Sequence, residues 1–252
     1  MHRLVMLGRD HPGYGELALE TIDGVFAAIS VGSDRSSPSL TSKGDSSAPN
    51  EDALAIICEA DSCLVAVADA HFGAEASHQL LSRLVERCAG VPKDAMQLTF
   101  ITMGLTDPPA RSRSGTTLAV ACLDRFNGRG FGISFGDSTL AAIGSSGHRV
   151  LNRPTDVYLH LDAAVPMAEC QKFDFELQRD EFLLAYTDGV NECHYRSPQT
   201  SIRKQHFEEF FRVSQGNCQT FCRVLGQAAL NGIEGQPGGQ DNLALVVAGL
   251  RS

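Results

Sequence analysis

Acidic residues stand at the ends of several strongly apolar segments of the 252-residue chain. In the stretch CLVAVADAHFG, residues 63–73, a run of apolar residues leads directly to Asp69 and then to His71. An aspartate at such a place can cap a helix, because its side-chain oxygen accepts from unpaired backbone N–H groups, or it can bind a metal ion. The acids that border apolar segments in this way are Glu51, Asp52, Asp69, Asp137, Asp188 and Asp241.

These carboxylates would repel one another strongly if the segment ends met in the fold. One pair of like charges about 4 Å apart costs roughly 4 kcal/mol at an effective dielectric constant near 20. Such a cluster therefore needs a cation, and ligands that are all oxygen favour Mg²⁺ or Mn²⁺ over zinc or copper. Taken singly, an aspartate beside a glycine is more often a turn or capping residue, so both interpretations stay open for each acid.

Hydrophobic patterning predicts a layered α+β domain that would position these acids. Two apolar segments joined around Asp61-Ser62 predict a β-hairpin, and apolar residues spaced along one face predict a helix that ends before Gly90 and Pro92. Helices and strands do not alternate regularly, which favours antiparallel sheets covered by helices over a parallel βαβ sheet. The predicted strands lie within 24–33, 52–60, 63–70, 116–124, 129–137, 138–147, 173–189 (two strands) and 241–250, and the predicted helices within 73–90, 203–213 and 218–230.

Composition narrows the class of protein and its partners. The net charge of −9 and the absence of a Lys/Arg-rich run argue against nucleic acid or an anionic membrane as a partner. No segment approaches the roughly 18 apolar residues of a membrane span, and the apolar start is too short for a signal peptide. Eight cysteines without a C-x-x-C pair predict buried reduced thiols. We therefore expect a monomeric cytoplasmic protein of one domain, 1–252, with a mobile Ser-rich loop at about 33–49.

Six short motifs resemble, in the same order, those of the type 2C (PPM family) metal-dependent Ser/Thr protein phosphatases. Each motif is weak alone, but the ordered series runs from about residue 30 to the C-terminus. The resemblance implies a four-layer α-β-β-α sandwich, with two antiparallel sheets flanked by helices. It also implies a centre of two Mn²⁺ or Mg²⁺ ions at one edge. The motifs are NEDA (50–53), VADAHFG (67–73), SGTTLAV (114–120), FGDST (135–139), YTDGVNE (186–192) and DNLALVV (241–247).

The resemblance assigns the metal ligands residue by residue. Asp69 matches the carboxylate that bridges both ions. Ala70 would supply a backbone carbonyl to one of them, and Glu51 would bind that same ion. Asp188 and Asp241 would hold the other ion.

The resemblance also implies a third, weaker metal site and two catalytic residues. Asp137 and Glu192, with Asp188, match the third site. Asp52 would orient the attacking water, and His71 lines up with the general acid for the leaving seryl or threonyl oxygen. The implied reaction is hydrolysis of a phosphoserine or phosphothreonine monoester in a phosphoprotein by a metal-activated water.

The chain departs from the family pattern around the substrate. Ser47 stands where the family has a phosphate-binding arginine, and Arg35 or Lys43 could take over that contact. The usual Asp-Gly-His-Gly-Gly reads Asp-Ala-His-Phe-Gly here. A left-handed backbone at Ala70 would cost roughly 1–2 kcal/mol relative to glycine, and Phe72 would lie near the cleft or in the core. These departures leave an alternative, a metal-binding but catalytically weak homologue that acts as a regulatory binding module.

Overall fold

The computed structural model describes residues 1–41, 49–107 and 113–251, and these form fourteen strands and five α-helices. The strands are β1 His2–Leu7, β2 Ala18–Ile22, β3 Val25–Ser30, β4 Asp52–Cys58, β5 Ser62–His71, β6 Gly115–Thr116, β7 Leu118–Asp124, β8 Arg129–Phe135, β9 Thr139–Gly144, β10 Gly147–Val150, β11 Leu159–His160, β12 Gln171–Glu176, β13 Phe182–Tyr186 and β14 Leu243–Gly249. The helices are α1 Pro38–Thr41, α2 Glu75–Arg87, α3 Ala95–Met103, α4 Lys204–Val213 and α5 Cys218–Asn231.

Two antiparallel sheets lie face to face and each is covered on its outer side by helices. The first sheet has the order β1-β4-β5-β7-β8-β12, and the short strand β6 joins β5 to β11. The second sheet has the order β10-β9-β13-β14-β3-β2. Helices α2 and α3 pack on the first sheet, and α4 and α5 pack on the second. The predicted four-layer α-β-β-α sandwich is confirmed.

Strand β4 shows why the central strands read as nearly continuous apolar runs. Successive side chains of a strand point to opposite faces. Leu54 and Ile56 therefore pack between the two sheets, whereas Ala55 and Ile57 pack beneath the outer helices. Both faces are dry, so every residue of β4 is buried. Its first residue, Asp52, is the one residue of β4 whose side chain carries a carboxyl group.

The predicted hairpin and the predicted helices are present. Strands β4 and β5 pair antiparallel, with Ile57 opposite Leu64. Helix α2 buries the apolar face that includes Leu80 and Leu84 against the first sheet. It ends at Arg87, ahead of the expected glycine.

Other elements were not expected from the sequence. Strand β1 pairs with β4 at the edge of the first sheet, and β2 and β10 form the two edges of the second. Helix α3 begins after Asp94, whose side chain accepts from the backbone N–H of Gln97 at 2.8 Å and caps the helix.

Part of the Ser-rich segment is packed. The backbone N–H groups of Ser33 and Asp34 both donate to the carbonyl of Gly239, at 2.8 and 3.0 Å. The side chain of Ser37 is buried, and α1 follows it directly. Residues 42–48 lie outside the described residues.

The cysteines behave as the composition indicates. All eight are free, and six of them are buried. Burial raises the pKa of the Cys63 thiol to about 12, so this thiol stays protonated at neutral pH. Among the described residues, none of the helices combines the length and the apolar character that crossing a membrane requires.

Candidate metal centre

The first sheet brings three of the predicted acids together at one end. Asp52 and Asp69 are direct partners in the β4–β5 ladder. Glu51 precedes Asp52, and one of its carboxylate oxygens, Oε1, accepts from the backbone N–H of Gly73 at 2.6 Å. All three carboxylates are buried. Strand pairing alone therefore sets three acids side by side in the interior.

The second sheet contributes two more acids at the same end. Asp188 follows β13, and Asp241 lies just before β14, which pairs with β13. Burial raises the pKa of Asp188 well above its usual range, and neighbouring carboxylates raise it further. The carboxylates that act on Asp188 belong to Asp69, Asp241, Asp137 and Glu192, from both sheets.

Two polar side chains tie the acidic ends of the two sheets to each other. Thr187 donates its hydroxyl hydrogen to Oδ2 of Asp52 at 2.6 Å. Asn242 accepts from the backbone N–H of Glu51 at 2.8 Å, and its amide donates to the carbonyl of Val31. Neither residue was assigned a role from the sequence, although both lie inside quoted motifs beside Asp188 and Asp241. The first bond fixes the Asp52 carboxylate and the second fixes the backbone of Glu51, in the way that outer partners orient metal ligands.

Asp69 borders its apolar segment in the sequence, but strand β5 continues past it to His71, one residue beyond the predicted segment 63–70. The next residues, Ala70 and His71, pair with β6. Asp69 itself is held through its backbone, because its N–H donates to Oγ1 of Thr117 at 2.9 Å and its carbonyl accepts from the Thr117 N–H at 2.8 Å. The candidate bridging ligand therefore sits on a rigid ladder.

A left-handed backbone occurs just after strand β5. Ala70 is an ordinary strand residue without a positive φ, so the cost that a left-handed conformation would carry there does not arise. Phe72 instead has φ of 65°, followed by Gly73 with φ of 118°. The Phe72 residue is 78% exposed, so it is not a core residue.

His71 lies at the rim of the acidic cluster. Its Nε2 is 4.0 Å from Oδ2 of Asp69. Its ring meets the ring of Tyr158 edge to face, with centroids 5.0 Å apart and planes at 79°. The pKa of Tyr158 is raised to about 12, mainly by burial and further by the charges of nearby aspartates that include Asp137 and Asp188. Sequence reasoning missed Tyr158, which lies outside all six motifs.

The two acids assigned to a third metal lie toward the solvent side of the cluster. Asp137 is exposed in the turn after β8, and Glu192 is half-buried. Burial raises the pKa of Glu192, and the charges of Asp241 and Asp137 raise it further. The structure thus brings both residues into electrostatic contact with the other acids.

Of the two predicted phosphate contacts, Arg35 lies within the described residues and Lys43 does not. The guanidinium carbon of Arg35 lies 4.7 Å from the ring centroid of Tyr14, a cation–π contact on an exposed loop. Lys43 and Ser47 lie outside the described residues. Arg196 donates to Oδ2 of Asp34 at 2.8 Å and so links the segment after Cys193 to the loop that carries Arg35.

The chemistry of the donors fits hard divalent cations. Every candidate side-chain ligand is a carboxylate, and oxygen ligands are those that Mg²⁺ and Mn²⁺ prefer. Within residues 1–41, 49–107 and 113–251, no three His, Cys, Asp or Glu side chains already stand in a ligand-like group.

Solved structures with the same fold as this chain are known. No protein-family model matches the sequence, and no curated protein matches it significantly. The Mycobacterium tuberculosis serine/threonine phosphatase PstP/Ppp is 18% identical, with a TM-score of 0.65 over 90% of this chain and 98% of that chain. The catalytic domain of PstP in complex with two manganese ions is also 18% identical, with a TM-score of 0.64 over 93% and 99% of the two chains.

A more distant structure shows the same architecture with another metal. RsbX in complex with magnesium is 12% identical, with a TM-score of 0.60 over 94% of this chain and 100% of that chain. The chain therefore has the type 2C, or PPM, phosphatase fold that its motif order predicts.

Proposed function

We propose that the protein is a metal-dependent phosphatase that hydrolyses phosphoserine and phosphothreonine monoesters of a phosphoprotein. The observation that carries the proposal is the convergence of buried acids from two sheets at one edge. Asp52 and Asp69 come from the first sheet, Asp188 and Asp241 from the second, and Thr187 bonds across to Asp52. Burying this many carboxylates is costly unless cations neutralise them.

Five residues of the chain would bind two Mn²⁺ or Mg²⁺ ions between them. Asp69 would contact both ions, Glu51 and the Ala70 carbonyl one, and Asp188 and Asp241 the other. The ions would neutralise the phosphate charge and activate a water for attack. Asp137 and Glu192, whose charges act on Asp188, would hold a third ion with it.

Two residues would handle protons beside these ligands. The hydroxyl of Thr187 donates to Oδ2 of Asp52 and holds this carboxylate in place, so that it would accept a hydrogen bond from the attacking water and aim it. His71, at the rim, would give a proton to the seryl or threonyl oxygen as the ester bond breaks. General acid–base catalysis of this kind contributes about 10²–10⁴-fold to rates.

The test is hydrolysis of p-nitrophenyl phosphate and of a phosphothreonine peptide, with Mn²⁺ and after exhaustive chelation. We expect turnover with Mn²⁺ that EDTA abolishes. Asp188→Asn should lose turnover. The matched control Asp174→Asn, at an exposed position of strand β12, should keep it. Turnover that survives chelation would exclude the mechanism.

The same protein samples test the regulatory alternative. Calorimetric binding of Mn²⁺ without turnover of either substrate would favour a binding module over an enzyme. Cytoplasmic location, a monomeric state and a role in signal transduction remain parts of the proposal, and light scattering of the purified protein tests the monomer.

A further inference from the structure

Tyr158 is brought to His71 by a small ladder of three strands. Strand β6 is only two residues long, and it pairs with β5 on one side and with β11 on the other. Gly115 of β6 is opposite His71 in β5 and opposite His160 in β11. A Cβ on Gly115 would lie 2.7 Å from the His160 ring, so glycine allows β11 to come this close. Tyr158 lies immediately before β11.

The ring contact has a defined geometry. The two rings meet at 79° with centroids 5.0 Å apart, which is the edge-to-face arrangement that aromatic rings prefer. The His71 side chain is 39% exposed, with Nε2 4.0 Å from Oδ2 of Asp69. One side of the imidazole therefore faces the acids, another faces solvent, and Tyr158 packs against it.

We propose that Tyr158 is a positioning residue for His71, and that its ring holds the imidazole where a leaving alkoxide oxygen can take its proton. This inference rests on the proposed phosphatase function. The phenol ring acts through packing, and its hydroxyl takes no part in the reaction. Because the edge-to-face contact is directional, loss of the ring should free the imidazole to rotate away from the substrate.

Two substrates that differ in their need for an acid test the proposal. The p-nitrophenolate group leaves without protonation, whereas a threonine alkoxide needs a proton. Tyr158→Leu keeps an apolar body without a ring, and Tyr158→Phe is the matched control with the ring. With Mn²⁺, we expect Tyr158→Leu to lose kcat for the phosphothreonine peptide on the order of tenfold, a part of what general acid catalysis contributes. The p-nitrophenyl phosphate rate should change less than about twofold.

Nuclear magnetic resonance of the metal-free protein gives a readout that needs no activity. The Tyr158 ring current should displace the His71 ring protons, whose signals are assigned by their loss in His71→Asn. Tyr158→Leu should move these signals, and Tyr158→Phe should leave them close to the wild-type position.

Distinct results would overturn the inference. Equal losses on both substrates, no loss on either, or a loss in Tyr158→Phe as large as in Tyr158→Leu would each contradict a positioning role. If wild type hydrolyses neither substrate, the proposed function fails and the resonance measurement decides the ring contact alone: unmoved His71 signals in Tyr158→Leu would refute it, and moved signals would support it.

Discussion

The left-handed backbone at Phe72 predicts that a glycine variant is more stable than an alanine variant there. At a residue with an ordinary backbone, the alanine variant is the more stable one. Phe72 has φ of 65°, a conformation that costs an L-residue with a side chain roughly 1–2 kcal/mol. Glycine avoids this cost but loses roughly 0.4–1 kcal/mol through the greater freedom of its unfolded chain. Comparing Phe72→Gly with Phe72→Ala cancels the loss of the ring. We expect the glycine variant to be more stable by about 0.5–1 kcal/mol.

The control is Val150 in strand β10, which is 51% exposed and has an ordinary extended backbone. There Val150→Gly should be less stable than Val150→Ala by up to roughly 0.5–1 kcal/mol, because at an extended strand position glycine carries only the entropic cost. The two pairs of variants therefore differ in sign, which removes effects common to all four proteins.

Urea unfolding in the presence of EDTA measures both differences without the contribution of metal binding. Thermal unfolding should agree, since about 1 kcal/mol moves Tm by roughly 2–4 °C in a chain of this size. If Phe72→Gly is less stable than Phe72→Ala, by as much as at Val150, then Phe72 carries no left-handed strain and the reasoning is refuted.

Three further predictions concern the metal ligands, a buried charge and a buried histidine. Asp69→Asn should lose more Mn²⁺ affinity in calorimetric titrations than Asp137→Asn, because Asp69 would contact two ions, and equal affinities would contradict the bridge. Arg125 is buried and donates to the carbonyls of Gly249, Asp23 and Gly24, so Arg125→Met should lose at least about 1.5–3 kcal/mol, the contribution of one hydrogen bond to a charged group. The exposed control Arg129→Met should stay within about 0.5 kcal/mol of wild type in the same denaturant titration. Burial lowers the pKa of His78 from 6.5 to about 4, so the unfolded chain takes up this proton first and stability should fall as the pH drops from about 6.5 to about 4. His78→Leu should remove this part of the pH dependence, and an unchanged slope between pH 6.5 and 4 would show that His78 does not titrate in this way.

Elements with a regular pattern or a turn signal were predictable from the sequence. In the β4–β5 hairpin, successive side chains alternate between two buried layers, and a short polar turn joins the strands. In helix α2, apolar residues recur at helical spacing along one face. Helix α3 escaped prediction because its sequence AMQLTFITM is apolar nearly all round, which leaves no helical periodicity to detect. Strands β6 and β11 have two residues each, so only their pairing defines them.

The candidate site also has parts that the sequence predicted and parts that it did not. The resemblance of the ordered motifs to a known family predicted which acids meet, whereas the position of each acid beside an apolar strand left a turn or capping role open. The ties between the sheets were not predictable from local sequence. Thr187 and Asp52 are 135 positions apart, and Asn242 and Glu51 are 191 positions apart. Such contacts arise from the stacking of two sheets, and no spacing rule encodes them. The same applies to Tyr158, which meets His71 only through β6.

One departure from the family pattern, Phe72, is exposed just after strand β5, and all of the predicted acids are present in the sequence. Carboxylates that hold cations must keep both charge and position, since losing one changes the binding of every ion it contacts. Phe72 is exposed beside His71 in the sequence, and Tyr158 packs against the His71 ring, so a change at either residue removes no carboxylate. In the proposed phosphatase, the rim of the acidic cluster would select the substrate, whereas the reaction would be carried out at the acids. Peptides that vary the residues beside the phosphothreonine would therefore separate the two: wild type and Phe72→Gly should differ in their order of preference among peptides and agree on p-nitrophenyl phosphate.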